Sequence, residues 1–257
     1  MDRRMKCFFS LFIFLFVCRA HGFTLVSSRL KFPVTEVTVN VAGNSCSNNG
    51  ITTDHLLDLA EQAVDEFWNQ VPTSKMKLKR GAVLTSIDVS SDTLSLAMVK
   101  VSGNSILVGC SGNTTTFDSA STLGVGNIAQ LSSGAIIGAL LINDALVGGS
   151  NRVASMPDSE LRPVVAHEIG HALGIGHSGD PIALMYYAVG AKVQEKLSQD
   201  DYDAISYLYP HPSPGGCGSI SSKDVPPTFF VATLCLGLLL PFMLISISTG
   251  SKRVFVR

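Results

Sequence analysis

His167-Glu168-Ile169-Gly170-His171-Ala172-Leu173-Gly174-Ile175-Gly176-His177 is the stretch that decides how this chain is read. Its first part belongs to a segment expected to be helical as far as about Leu173. Histidines four residues apart fall one turn apart on one helix face, so both imidazoles can reach a single ion. Zinc favours such nitrogen ligands, and a catalytic site uses three protein ligands with one position left open. His177 can supply the third. A continuous helix would carry it away, but Gly174 and Gly176 permit a sharp turn that brings the chain back. Glu168, beside the first histidine, belongs where a carboxylate could take a proton from a bound water. Three of the chain's six histidines fall within these eleven residues, which argues against an incidental helix.

On either side the signals are local. Pro157-Asp158-Ser159-Glu160 opens the helix, with Asp158 or Ser159 as the expected cap and the acids suited to its positive end. Downstream, Ser198-Gln199-Asp200-Asp201 reads as a capping box that opens a helix from Gln199 to Tyr207. The prolines at 210, 212 and 214 close the body.

His167 to His177 matches the metzincin signature. Ser178-Gly179-Asp180-Pro181-Ile182-Ala183-Leu184-Met185-Tyr186 closely resembles the continuation found in the matrixins, the matrix metalloproteases. The likeness is strong from about Leu161 to Tyr209 and rests upstream only on the order of elements. It implies an α+β zincin-like catalytic domain: a twisted, mostly parallel sheet with one antiparallel edge strand, and three helices. It implies one catalytic zinc on His167, His171 and His177, with Glu168 as general base toward a zinc-activated water. Met185 would be the Met-turn residue packed beneath the metal. A protein or peptide substrate would lie extended against the edge strand. The wall of the pocket for the residue after the scissile bond would come from Ala188 to Leu197, whose small and aliphatic side chains suggest an apolar pocket.

The sequence departs from the matrixin pattern in several places. Tyr187 stands where matrixins usually have proline. Astacins and serralysins have a tyrosine at that spacing, so Tyr187 is a candidate catalytic helper, or else a packed wall residue. No Pro-Arg-Cys-Gly switch precedes the domain. The histidine and aspartate set of a structural zinc site is not recognisable, and calcium binding is not legible.

Farther upstream, Glu36 to Val41 alternates as a strand does. Thr53 or Asp54 can cap a helix to about Gln70, with Leu56, Leu57, Ala60, Val64, Phe67 and Trp68 on one stripe. Strands are expected near Ala82 to Val89, Leu94 to Val101, Ile106 to Gly109, Leu123 to Ala129 and Ile136 to Ile142. Gly103 to Gly149 has no Lys or Arg and is rich in Gly, Ser and Thr. It must include a long loop of the kind that borders clefts or simply covers a surface.

The ends read as addresses. Arg3, Arg4 and Lys6 precede an apolar run from Cys7 to Cys18, and a cut after Gly22 fits a secretory signal peptide over 1–22. The protease domain is then 23–212. A linker over 213–228 carries Gly216-Cys217-Gly218, an apolar helix over 229–248 is long enough to span a bilayer, and 249–257 is a basic cytoplasmic tail. The tail resembles the Cys-containing sorting tails of some bacterial surface proteins, making Cys217 a candidate for processing by a sorting protease. The alternative is a permanent single-pass anchor. Either way the catalytic domain faces outward, at the cell surface or envelope, anchored or released after tail processing. In an oxidising compartment Cys46 and Cys110 are disulfide candidates, the alternative being two buried thiols.

The chain has 257 residues and a net charge of −1 from 19 basic and 20 acidic side chains, which gives no footprint for a nucleic-acid partner. The expected function is endopeptidase action on extracellular or envelope proteins. The competing reading is a membrane-anchored binding or adhesion module on an inactive metzincin scaffold, against which the intact Glu168 argues. A purely structural zinc would need a fourth protein ligand, for which Asp180 is the candidate.

Overall fold

The computed structural model describes residues 22–188 and 196–211. Its frame is a five-stranded sheet made of β1 (Glu36–Ala42), β2 (Lys77–Leu84), β3 (Ser105–Ser111), β4 (Gly124–Gln130) and β5 (Ile136–Asn143). The spatial order is β2-β1-β3-β5-β4. All pairings are parallel except β4 with β5, which runs antiparallel from Gly124↔Ile142 to Gln130↔Ile136. The outer edge of β4 has no strand partner among the described residues.

Among the described residues four α-helices accompany the sheet: α1 (Thr53–Glu66), α2 (Leu94–Met98), α3 (Asp158–Ala172) and α4 (Gln199–Leu208). One face of the sheet carries the larger core. There Val37, Val39, Ile106, Val108, Leu140 and Ile142 pack with Leu56, Ala60 and Val64 of α1 and Val165, Ile169 and Ala172 of α3. The opposite face holds a smaller core, in which Leu107, Ile137, Ala139 and Leu141 meet Ala97 and Met98 of α2 and Phe117. β3 and β5 are thus buried on both faces, which is why they read as nearly unbroken apolar runs.

Two glycines set how closely α3 approaches the sheet. A Cβ on Gly138 would stand 2.7 Å from the Ala172 carbonyl, and one on Gly126 would collide with the Glu168 carbonyl. Both strands therefore let the metal-motif helix lie almost directly on their backbones.

Several expected elements moved. Leu94 to Val101, expected as a strand, is the one-turn helix α2, capped by the Thr93 hydroxyl, which accepts from Leu96 N at 3.4 Å. The buried set Ala97, Met98 and Val101 has helical spacing, and Leu96 and Val99 are exposed. The alternation of apolar residues fitted both periods. The strand expected over Ala82 to Val89 begins earlier, at Lys77. It is a charged edge strand, with Leu78 inward between Lys77 and Lys79, and the register with β1 shifts between Val39 and Val41. Helix α1 is capped by Thr52 and ends at Glu66, followed by a 3₁₀ turn over Trp68–Gln70. Helix α3 starts after Pro157, with no side-chain cap, so neither Asp158 nor Ser159 has that role. Helix α4 carries the expected capping box, Ser198 and Asp201 satisfying each other's backbone N–H.

Cys46, in the loop after β1, and Cys110, in β3, are joined by a disulfide with Cα atoms 5.2 Å apart. The same loop is tied down by the buried Asp144, whose carboxylate accepts from Ser47 Oγ, Asn48 N and Asn49 N at 3.4, 3.3 and 3.0 Å. Burial raises the Asp144 carboxyl above its ordinary value, with those donors pulling the other way.

Among the described residues no helix is long and apolar enough to cross a membrane. The expected span over 229–248, the linker with Cys217, the basic tail and the signal segment before Gly22 lie outside the described residues.

Candidate metal centre

Helix α3 delivers His167 and His171 to the same side. After Ala172 the chain leaves the helix through Leu173 and Gly174, whose φ of 101° is the left-handed conformation that favours glycine. The return segment then brings His177 back. One ligand atom from each of His167, His171 and His177 lies within 4.8 Å of the others, and His171 Nε2 is 3.2 Å from His177 Nε2. Nitrogen ligands ~2.0–2.1 Å from a tetrahedral zinc stand about 3.3 Å apart, so the spacing fits.

The imidazoles are also aimed. His167 Nδ1 donates to the Leu184 carbonyl at 2.7 Å, and His171 Nδ1 donates to the Ile175 carbonyl at 2.8 Å. A carbonyl only accepts, so each Nδ1 carries the proton and each Nε2 lone pair is left for a metal. Burial favours the neutral rings: it pushes His167 down to about 4 and His171 to about 3, and lowers the more exposed His177 as well. Neutral imidazole is the form that ligates. The donor set, tautomers and spacing all suit zinc.

Each ligand is held by its surroundings. The Leu184 carbonyl that orients His167 belongs to a segment pinned by Asp201 of α4. That carboxylate, 1% exposed, accepts from Leu184 N at 2.8 Å, Met185 N at 3.0 Å, Ser198 N at 2.8 Å and Ser198 Oγ at 2.9 Å. The sequence showed Asp201 only as half of a capping box; its second task, on a segment sixteen residues away, had no local signal. Met185 is buried beneath the helix. A Cβ on Gly170 would collide with Met185 Sδ and lie 2.8 Å from Trp68 Cζ2. The glycine inside the motif is thus demanded by the residues below it.

The third ligand depends on the N-terminal segment. Thr24 Oγ1 donates to the His177 carbonyl at 2.6 Å, Gly176 N donates to the Thr24 carbonyl at 2.8 Å, and Val26 N donates to the Gly174 carbonyl at 2.9 Å. Residues 24–26 therefore form a strap along the return segment. No motif announced it.

Glu168 is buried against the start of β4, where a Cβ on Gly124 would stand 2.8 Å from its Cγ. Burial alone raises its carboxyl to about 8. The three histidines and Glu168 share a cleft of roughly 580 Å³ with Leu123 to Gly126, Arg152, Val164, Tyr187 and Ala188. Tyr187 is 67% exposed, and its ring centroid is 6.3 Å from that of His177. Asp180 is not part of the converging group; its Oδ1 accepts from Ile182 N at 3.0 Å within its own turn. Of the expected pocket wall, Ala188 lines the cleft, and residues 189–195 lie outside the described residues.

Comparison with known proteins converges on the same region. The model of the matrixin peptidase family matches residues 65–210. The chain is 43% identical to human neutrophil collagenase over 67 residues, which is 25% of this chain and 12% of that protein. It is 56% identical to human matrilysin over 45 residues, 17% of each. With soybean (Glycine max) metalloendoproteinase 1 the identity is 47% over 51 residues, 20% of this chain and 17% of the relative. The aligned segments thus span less than a fifth of each relative's length.

Proposed function

Because this chain belongs to the matrixin family, we propose that it is a zinc-dependent endopeptidase and that its chemistry is carried out at the cleft described above. The observation that carries the reading is the convergence of three imidazoles, two of them aimed by ring hydrogen bonds, and one buried carboxylate beside a sheet edge with no strand partner among the described residues. His167, His171 and His177 would hold the ion. When bound, zinc would acidify a water and polarise the scissile carbonyl.

The remaining steps fall to the protein. Glu168, whose burial already favours proton uptake, would accept the proton of the attacking water and pass it to the leaving amine nitrogen. The outer edge of β4 would align the substrate backbone by strand addition, so that the scissile bond lies over the histidines. Tyr187, exposed beside His177, would donate a hydrogen bond to the carbonyl oxygen as charge develops there.

The domain layout belongs to the same proposal: an exported protein with the protease domain over 23–212, facing outward and tethered or released through the tail with Cys217. The substrates would then be extracellular or envelope proteins.

The test is cleavage of an unbiased fluorogenic peptide library by the exported chain, with and without chelator. Glu168→Ala should still bind zinc yet lose at least a hundredfold in rate. Wild-type protein that is folded and zinc-loaded but cleaves nothing would instead favour a binding module on an inactive scaffold.

A further inference from the structure

Arg152 lines the cleft with Glu168 and the histidines, and no role has been given to it. Its backbone is firmly placed. Ser155 N and Oγ donate to its carbonyl at 3.2 and 2.9 Å. The preceding Asn151 side chain donates to the Asn143 and Ala145 carbonyls at 3.0 and 3.1 Å and accepts from Val153 N at 2.9 Å. Val153 is buried. The backbone at Arg152 is therefore fixed beside the end of β5, and its side chain is exposed. The guanidinium, by contrast, has no hydrogen bond or ion pair among the described residues. Arg80 and Arg162 do have such partners, in Asp58 with Glu61 and in Glu66.

The other charged side chain lining the cleft, Glu168, does not answer this cation. Its carboxyl is raised by burial, and no nearby positive charge contributes. Val164, one turn before His167 on α3, lines the same cleft. A substrate side chain entering this cleft meets aliphatic lining at Val125 and Val164 and, in the same lining, five N–H donors in a planar fork without an acceptor. A carboxylate on a short aliphatic stem satisfies both, because the fork can bind its two oxygens together.

We propose that Arg152 is a specificity-determining residue that selects peptides carrying Asp or Glu at one position near the scissile bond. The proposal rests on the endopeptidase reading above and adds a substrate class to it.

The test compares matched fluorogenic peptides that differ at one position, Glu against Gln and Asp against Asn, scanned along the peptide. Wild type should show about a tenfold preference in kcat/KM for the acid at one position, the size expected of a partly exposed charged hydrogen bond. Arg152→Ala should remove the preference, bringing the Glu-to-Gln and Asp-to-Asn ratios of kcat/KM to about one. Arg152→Glu should turn it into a preference for Lys or Arg there, and Arg152→Lys should keep part of it. The wild-type preference should weaken with added salt. An acid-to-amide ratio unchanged in Arg152→Ala, or no acid preference in an active wild type, would overturn the assignment and leave the endopeptidase standing. If wild type cleaves nothing, the endopeptidase reading fails by itself. Binding of the same peptides to zinc-loaded Glu168→Ala then decides: equal affinity of acid and amide forms rejects Arg152 as a carboxylate reader, and a preference lost in the double variant with Arg152→Ala supports it.

Discussion

Asp201 shows how much can depend on one buried carboxylate. It satisfies four donors, two on the segment beneath the histidines and two at the start of α4. Asp201→Ala would strand these donors in the protein interior, where Asp201 is 1% exposed. The expected loss is about 3 kcal/mol of stability, read as a lower denaturant midpoint. Zinc affinity should fall as well, because the Leu184 carbonyl that aims His167 would no longer be pinned, and competition with a chromophoric chelator would measure it. An unchanged midpoint would mean that water replaces the carboxylate. At this scale the sequence was partly legible. The convergence of the three histidines, the place of Glu168 beside them and the turn at Gly174 were legible because they depend on spacings of a few residues. Asp201 and Thr24 did not declare themselves, because each acts on a part of the chain far from its own neighbours.

Elements were legible where one period dominated. Helices α1, α3 and α4 and strands β1, β3, β4 and β5 came close to their expected places, since burial on one or both faces imposes a clear pattern. Failures came where burial is slight. β2 is an edge strand rich in cations, and α2 is too short for its period to be read. The joint between elements yields a prediction too. Tyr209, just after α4, donates to the Leu173 carbonyl at 2.7 Å and accepts from Phe32 N at 3.1 Å, tying the C-terminus of α3 to the N-terminal segment. Burial holds its phenol far above the ordinary value of 10. Below that value the folded and unfolded phenols are both protonated. Above about pH 10 only the unfolded one ionises, so stability is lost as pH rises. Tyr209→Phe should cost about 1–2 kcal/mol near neutrality but show a shallower alkaline loss. Urea midpoints at about pH 9 and about pH 11 would check both. Parallel alkaline slopes in the two proteins would show that other groups govern the loss.

On the scale of the whole molecule, the two sheet edges are treated differently. The β2 edge carries Lys77, Lys79 and Arg80, which discourages pairing with other strands, whereas the β4 edge opens on the cleft. The Cys46–Cys110 bond, spanning a sequence separation of 64, fastens the sheet away from that edge. Replacing both cysteines by serine should lower stability by about 4 kcal/mol, and reductant should then have no further effect on the unfolding midpoint. A wild-type midpoint insensitive to reductant would sink this expectation.

The strap from Thr24 to Val26 reaches across 153 positions of sequence to the carbonyl of His177. That separation has a kinetic meaning. Contacts between such distant residues form late, because the loop they close must first be ordered. His167 and His171 can be in place as soon as α3 forms, but the third imidazole waits for the ends of the domain to meet. During refolding, burial of Trp68 beneath α3 should therefore precede tight metal capture, and a cobalt absorbance band should grow in after the tryptophan signal has settled. Thr24→Val should lengthen that interval. On this order of events the ion would enter a nearly finished protein and would not act as the seed around which it folds.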